Sequence, residues 1–226
     1  MKIYAININR GISPKLFTTL LSFVSKERRE KINKFIRKED ANRSLVAAIL
    51  IRVAINENLH IKNRDIFFYY NAYGKPYLKY TPPLYFNLSH SGNWVVCAID
   101  DYHIGIDVEQ MKNIDFHIAK SFFAEKEYND LMKKDGAEKK SYFYDLWTLK
   151  ESYIKACGKG LSLDLSSFYI GIAKNNIILQ TKNEFNKCSF RQYTIEENYK
   201  MSVCASEDNF PEQVTFKTLE DLHIDN

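Results

Sequence analysis

The chain opens on an alternation of apolar and polar positions, "MKIYAININR", and a period of two predicts a first strand. Ser13-Pro14 then offers a helix start. From Ser25 to Leu59 the apolar positions recur at helical spacing, which predicts two helices split near "KEDANR" (Lys38–Arg43), the first starting after Ser25. "DIFFYYNAYGKPYL" predicts strand, turn and strand, with the turn at Gly74-Lys75-Pro76. "LYFNLSHSGNWVVCAIDDYHIGIDVE" predicts strand, loop, strand, a turn at Asp100-Asp101, and strand. A helix-rich part runs from Ile114 to about Lys155, broken at Lys134-Asp135-Gly136. From Phe168 onward the pattern is strand-like again, in "SFYIGIAKNNIILQT", "SFRQYTI" and "YKMSVCAS".

A faint echo joins the two ends of this pattern. "FVSKE" (Phe23–Glu27) resembles "FFAEKE" (Phe122–Glu127), each opening a helical block, and "VCA" closes a strand at Val96–Ala98 and again at Val203–Ala205. Each half then reads as helices with a mostly antiparallel sheet. A duplication puts its junction near residue 105, and ligand sites favour such interfaces.

Composition narrows the class. Hydrophobic residues make up 45% of 226, enough for a real core and too many for a disordered chain. A net charge of +4, from 32 basic and 28 acidic residues, suits small anions or an acidic protein partner; the evenly mixed acids speak against RNA. The four cysteines form no CxxC pair, and Cys97 and Cys204 fall in apolar strand-like runs that suit reduced, buried thiols. The N-terminal run lacks the apolar core of a signal peptide, and "LVAAILI" is too short to span a membrane, so a cytoplasmic protein with no membrane partner is expected.

Five stretches carry candidate chemistry. In "HIGIDVE" (His103–Glu109), a strand points Asp107 and Glu109 to one side with backbones about 6.6 Å apart. At an effective dielectric of about 20 their charges repel by roughly 2.5 kcal/mol, so a cation should stand nearby. Two such carboxylates are hard oxygen ligands for Mg²⁺ or Mn²⁺; taken alone, the pair more often marks a solvated strand edge. In "LWTLKESYIK", Trp147, Glu151 and Lys155 fall at i, i+4 and i+8 of a helix, which fits an apolar anchor, a third carboxylate and a cation, or an ordinary Glu–Lys helix pair. Lys150 points about 100° round the helix, where it can be solvated. "FNLSHSG" (Phe86–Gly92) reads as a strand ending in a polar loop that offers donors to an anion, or as a plain turn. "YGKP" is a turn carrying a lysine, and "KERREK" is a basic helix face, followed by Ser44.

The order and spacing of these stretches say more than any one of them. "GKP", "FNLSHS", "GIDVE" and "WTLKESYIK", with "SKERREK" and "KEDANRS" before them and "CGKGLSL" after, closely resemble the 4′-phosphopantetheinyl transferases, more narrowly the surfactin-synthetase-activating (Sfp) type. The resemblance runs from Met1 to near the C-terminus. It implies an α/β fold of the α+β kind: two similar subdomains, 1–104 and 105–226, in a pseudo-twofold arrangement. Each would be a mostly antiparallel sheet packed with helices, with the active site at their interface.

The resemblance also implies a reaction and its residues. Members move the phosphopantetheine arm of coenzyme A onto a serine of an apo acyl or peptidyl carrier protein, releasing 3′,5′-ADP, a phosphoryl transfer dominated by positioning and charge neutralisation. By carry-over, Asp107, Glu109 and Glu151 hold Mg²⁺ (or Mn²⁺), with Lys150 and Lys155 balancing the diphosphate. Arg28, Lys31, Ser44 and His90 take the 3′-phosphate, Lys75 and Pro76 flank the adenine, and Ser89 touches the phosphates. Glu151 is the first candidate for general base and Glu127 the second; Lys155 protonates the leaving phosphate. Met111, Lys112 and Asn113 are candidate carrier contacts, and kinship implies a monomer acting on acidic carriers of nonribosomal peptide, polyketide or fatty-acid synthesis. A nucleotide-binding module without catalysis and a small RNA-binding protein are the rival classes.

Overall fold

A computed structural model describes residues 1–173 and 176–224. Lys174 and Asn175, in the middle of the strand-like run Ser167–Thr181, lie outside the described residues, as do residues 225–226. The first half runs β1 (Lys2–Asn7), α1 (Pro14–Ser22), α2 (Lys26–Asn33), α3 (Lys38–Leu59), the hairpin β2 (Phe68–Tyr70) and β3 (Pro76–Leu78), then β4 (Tyr85–Ser91) and β5 (Trp94–Asp100). The second half repeats that order: β6 (Ile104–Gln110), α4 (Ala119–Phe122), α5 (Glu125–Met132), α6 (Gly136–Cys157), the hairpin β7 (Tyr169–Ala173) and β8 (Asn176–Gln180), then β9 (Ser189–Tyr193) and β10 (Tyr199–Ala205). The sheets repeat too, as β1-β5-β4 and β6-β10-β9, all antiparallel, and α3 and α6 are both 22 residues long.

Local chemistry explains most boundaries. Ser13 and Ser25 cap α1 and α2, accepting from the backbone N–H of Leu16 at 3.2 Å and of Arg28 at 3.3 Å. The break between α2 and α3 comes earlier than expected, at Lys34–Arg37, and "KEDANR" opens α3. Glu39 and Asp40 thereby sit in its first turn, where the helix dipole favours negative charge. "FNLSHS" is strand rather than loop: β4 continues through Ser91, and the chain reverses at Gly92-Asn93 with φ +54° at the glycine. The end of the chain departs from the expected halves. The short strand β11 (Thr215–Lys217) pairs in parallel with β1, and Leu222 and Ile224 bury in the first half's core.

Four layers result. Tyr4, Ile6, Val95, Cys97 and Phe86 face α3; Ile3, Ala5, Val96 and Ala98 turn the other way and pack against Ile104, Ile106, Val108, Met201 and Val203 of the second sheet. The period of two on β6 then obliges Gly105, Asp107 and Glu109 to face α6. One edge of β6 pairs with β10. Along its other edge, side chains of β4 replace a strand ladder. Asn87 Oδ1 accepts from Ile106 N–H at 2.9 Å, Ser89 Oγ from Val108 N–H at 3.3 Å, and Ser91 Oγ from Gln110 N–H at 3.1 Å. All four cysteines are free, Cys97 and Cys204 buried. Among the described residues no helix is long and apolar enough to cross a membrane.

Helix α6 lies directly on β6 because Gly105 carries no side chain. A Cβ there would stand 2.0 Å from the Ser152 carbonyl oxygen and 2.4 Å from the Ala156 nitrogen, both backbone of α6. Gly105→Ala is therefore expected to cost about 3 kcal/mol, at the upper end of overpacking. For a chain of this length that lowers Tm by roughly 6–12 °C, readable by calorimetry.

Candidate active site

Asp107 is 3% exposed. Its Oδ1 accepts from Ser89 Oγ at 2.8 Å and from Lys155 Nζ at 2.7 Å, so strand β6, strand β4 and helix α6 meet at one oxygen. Lys155 Nζ also donates to Ser89 Oγ at 3.0 Å and to the Ile106 carbonyl at 3.2 Å. The other oxygen, Asp107 Oδ2, is buried and has no hydrogen-bond partner. Glu109, two residues on, accepts from Ser91 Oγ at 2.6 Å.

Three carboxylates strain against each other here. Burial first, then Asp107 and Glu151, push the Glu109 pKa up to about 7, against the hydrogen bond from Ser91 and the charge of Lys155. Burial and then Asp107 raise Glu151 too, with Lys155 opposing. Glu151 and Lys155 come from successive turns of α6, and Trp147, one turn earlier, is the anchor expected, stacked on Phe143 with centroids 5.8 Å apart and edge-on to Phe122 at 5.6 Å. Among the described residues no three acid, histidine or cysteine side chains stand close enough to form a finished metal cage. The donor set nonetheless fits a hard divalent cation: Glu109 and Glu151 with raised pKa values, and Asp107 with a buried oxygen lacking any partner.

A second group lies on the first-half side. Arg28 donates through Nη2 to the Ser44 hydroxyl at 3.0 Å and the Ser44 carbonyl at 3.2 Å. Arg28 and Pro76 help line a largely apolar cavity of about 270 Å³, together with Tyr70, Gly74, Phe86 and Leu88. His90 stands on the same face of β4 as Phe86 and Leu88. Loss of water around its ring, then the cations Arg43 and Lys155, hold its pKa below the usual imidazole value. Lys31 is exposed on α2 and pairs with Glu27 at 2.7 Å.

Three expected site residues stand elsewhere. Lys150 and Glu127, expected to balance phosphate and to act as second-choice base, form a 2.8 Å ion pair with both side chains 0% exposed. Lys150 also donates to the carbonyls of Leu165 and Phe168, and Glu127 accepts from the N–H groups of Ala124 and Ile170. The 100° step that was expected to solvate Lys150 instead turns it into the second half's core, away from Asp107. The third, Lys75, turns its ammonium away from the cavity and onto backbone carbonyls of Ile104, Lys155 and Ala156. Of the carrier-contact candidates, Lys112 and Asn113 are exposed and Met111 is half-buried. Ser91 was not singled out, although its signal was present: hydroxyls two apart in "LSHS" match carboxylates two apart in "IDVE".

Two outcomes follow from this geometry. Glu127→Ala strands a buried ammonium and is expected to cost about 3–5 kcal/mol in urea unfolding. A stability equal to the parent's would remove Glu127 from the core. Glu109 behaves in the opposite sense to a salt-bridged acid. Its folded pKa lies above the unfolded value of about 4.3, so its protonated form is favoured by folding and that contribution is lost as pH rises toward 7. Cation-free parent protein should lose stability relative to Glu109→Gln between about pH 4.3 and 7; a pH-independent difference would contradict the assignment.

Comparison with known proteins identifies the family. The family model "4′-phosphopantetheinyl transferase superfamily" matches residues 103–204, and "4′-phosphopantetheinyl transferase, N-terminal" matches residues 12–101. 4′-Phosphopantetheinyl transferase Sfp of Bacillus subtilis (strain 168) is 43% identical over 98% of this chain and 100% of its own length. 4′-Phosphopantetheinyl transferase gsp of Aneurinibacillus migulanus is 38% identical over 88% of this chain and 84% of its own. The human L-aminoadipate-semialdehyde dehydrogenase-phosphopantetheinyl transferase is 32% identical over 80% and 66%. Among solved structures, the holo-(acyl-carrier-protein) synthase of Bacillus anthracis str. Ames in complex with CoA (3′,5′-ADP) covers 46% of this chain and 94% of its own, at 17% identity and a TM-score of 0.39. The chain belongs to the 4′-phosphopantetheinyl transferase family, in its Sfp-type branch, and is an enzyme that transfers phosphopantetheine from coenzyme A to carrier proteins.

Proposed function

We propose that the chain is a Mg²⁺-dependent transferase that releases 3′,5′-ADP and modifies carriers of nonribosomal peptide or polyketide synthesis, with fatty-acid carriers as further substrates. The observation that supports it most is the buried Asp107 oxygen that has no hydrogen-bond partner, on a carboxylate whose charge helps to raise both Glu109 and Glu151. A divalent cation held by these three carboxylates would neutralise the coenzyme's diphosphate and polarise its phosphorus toward attack.

The chain's own residues do the rest. The adenine enters the cavity bounded by Pro76, Tyr70 and Phe86, and Arg28 and Ser44 with Lys31 and His90 receive the 3′-phosphate. An arriving phosphate favours the charged form of His90, whose pKa is otherwise held low. Lys155 and Ser89 bind the diphosphate from the side of β4. Glu151, its pKa raised by burial and by Asp107 against the charge of Lys155, accepts the proton of the carrier serine as its oxygen attacks. Lys155 then supplies a proton or its charge to the leaving 3′,5′-ADP. The exposed Lys112 and Asn113 next to β6, with the net charge of +4, suit an acidic carrier, and one chain supplies every group named, so a monomer suffices.

Incubating the protein with coenzyme A, Mg²⁺ and a panel of apo carriers should raise a carrier's mass by one phosphopantetheine arm and yield 3′,5′-ADP. No adduct on any carrier would overturn the reading. Asp107→Ala should abolish transfer while coenzyme binding falls less steeply, and dephospho-coenzyme A should lose most activity because Arg28, Ser44 and His90 lose their ligand. Dephospho-coenzyme A working as well as coenzyme A would give that group another use.

A further inference from the structure

The hairpin β2–β3 touches both halves of the molecule. On one side Tyr70, Gly74 and Pro76 line the apolar cavity. On the other, Lys75 crosses to the second half, buried to 9% exposure. Its Nζ donates to the carbonyl oxygens of Lys155 at 2.5 Å, Ile104 at 3.2 Å and Ala156 at 3.4 Å. Two of these carbonyls belong to the last turn of α6, where they have no partner within the helix and where the dipole favours a cation. The third is the first residue of β6.

Asn71 closes the grip. Its Oδ1 accepts from the N–H groups of Lys75 at 2.9 Å and Tyr73 at 3.0 Å, which fixes the turn, while its Nδ2 donates to the Gly158 carbonyl at 2.8 Å. Gly158 ends α6 at φ +71°, and a Cβ there would meet Lys75 Cδ and Tyr77 Oη at 3.0 Å. The end of α6 therefore lies close against the hairpin, and a side chain at 158 would press on Lys75 and Tyr77. The helix end so held carries Lys155 and, one turn back, Glu151; the strand held with it carries Asp107 and Glu109.

We propose that Lys75 is a positioning residue: its ammonium clamps the last turn of α6 to the start of β6 and to the hairpin that forms the coenzyme cavity, keeping Lys155 on Asp107 and Glu151 beside them. The ammonium acts through α6 and not by contact with the coenzyme. A misplacement of about 1 Å among reacting groups costs on the order of a hundredfold in rate, which sets the scale of the effect. The inference rests on the transferase reading, and the parent protein's activity in the same assay tests that reading separately.

The test compares parent, Lys75→Met and Asn71→Ala, by transfer kinetics at saturating carrier and by calorimetric titration of coenzyme A, well below each variant's Tm. The expected result for Lys75→Met is a kcat lower by about a hundredfold with a coenzyme Kd within about threefold of the parent. Asn71→Ala should show the same split at a smaller amplitude, and it decides the matter if Lys75→Met does not fold. A coenzyme Kd weakened about tenfold with kcat retained would make the ammonium a coenzyme contact and overturn the proposal. A lowered Tm with both kcat and Kd unchanged would overturn it equally, leaving Lys75 a stabilising residue only.

Discussion

The contact on which the rest depends is the meeting of Lys155, Ser89 and Asp107. An ammonium from α6, a hydroxyl from β4 and a carboxylate from β6 share one oxygen atom at 2.7–2.8 Å, and they come from both halves of the chain. Burying a carboxylate as deeply as Asp107 is costly unless such partners hydrogen-bond it. The partners exist only if α6 lies flat on β6, which Gly105 allows, and if β4 runs alongside β6, which its hydroxyls and Asn87 arrange. The second oxygen of Asp107 is left over. That remainder, with Glu109 and Glu151 raised by burial and by the charge of Asp107, makes the site a place where a cation would lower the energy of the folded chain.

The two halves have taken different tasks from one repeated plan. In the first, the space between helices and the hairpin stays open as a cavity edged by Arg28 and Pro76. In the second, the corresponding region is closed by Glu127 and Lys150, which tie α5, α6 and the approach to β7 into one buried polar cluster. Breaking that pair is expected to act on folding and changing Asp107 on chemistry, because Lys150 leaves α6 about 100° round from Glu151, toward the core of the second half.

Much of this was legible in the residues. The period of two in "IGIDVE" put both acids on one face, and the serines before α1 and α2 marked their starts. The resemblance named Glu151 and Lys155 as partners of those acids, and the fold sets Lys155 on Asp107. Other features were hidden for physical reasons. A helical step of 100° says that Lys150 leaves the face of Glu151, but not whether that new direction meets water or core; only the packing of α5 and β7 decides it. Lys75 reads as a turn lysine, yet its reach of four methylenes is long enough to find helix carbonyls 80 residues away in sequence. The polar character of "NLSHS" suggested a loop, because a strand whose side chains bond to a neighbouring backbone looks like a turn in composition. The parallel return of β11 carried too short a pattern to be read at all.

The most direct test of the central claim is the binding of Mn²⁺, as a spectroscopic stand-in for Mg²⁺, to parent protein, Asp107→Asn and Glu151→Gln in the presence of coenzyme A, followed by electron paramagnetic resonance. The account predicts one protein-dependent Mn²⁺ site in the parent and its loss in both variants, although one substitution lies on a strand and the other on a helix. Full Mn²⁺ binding by either variant would contradict it.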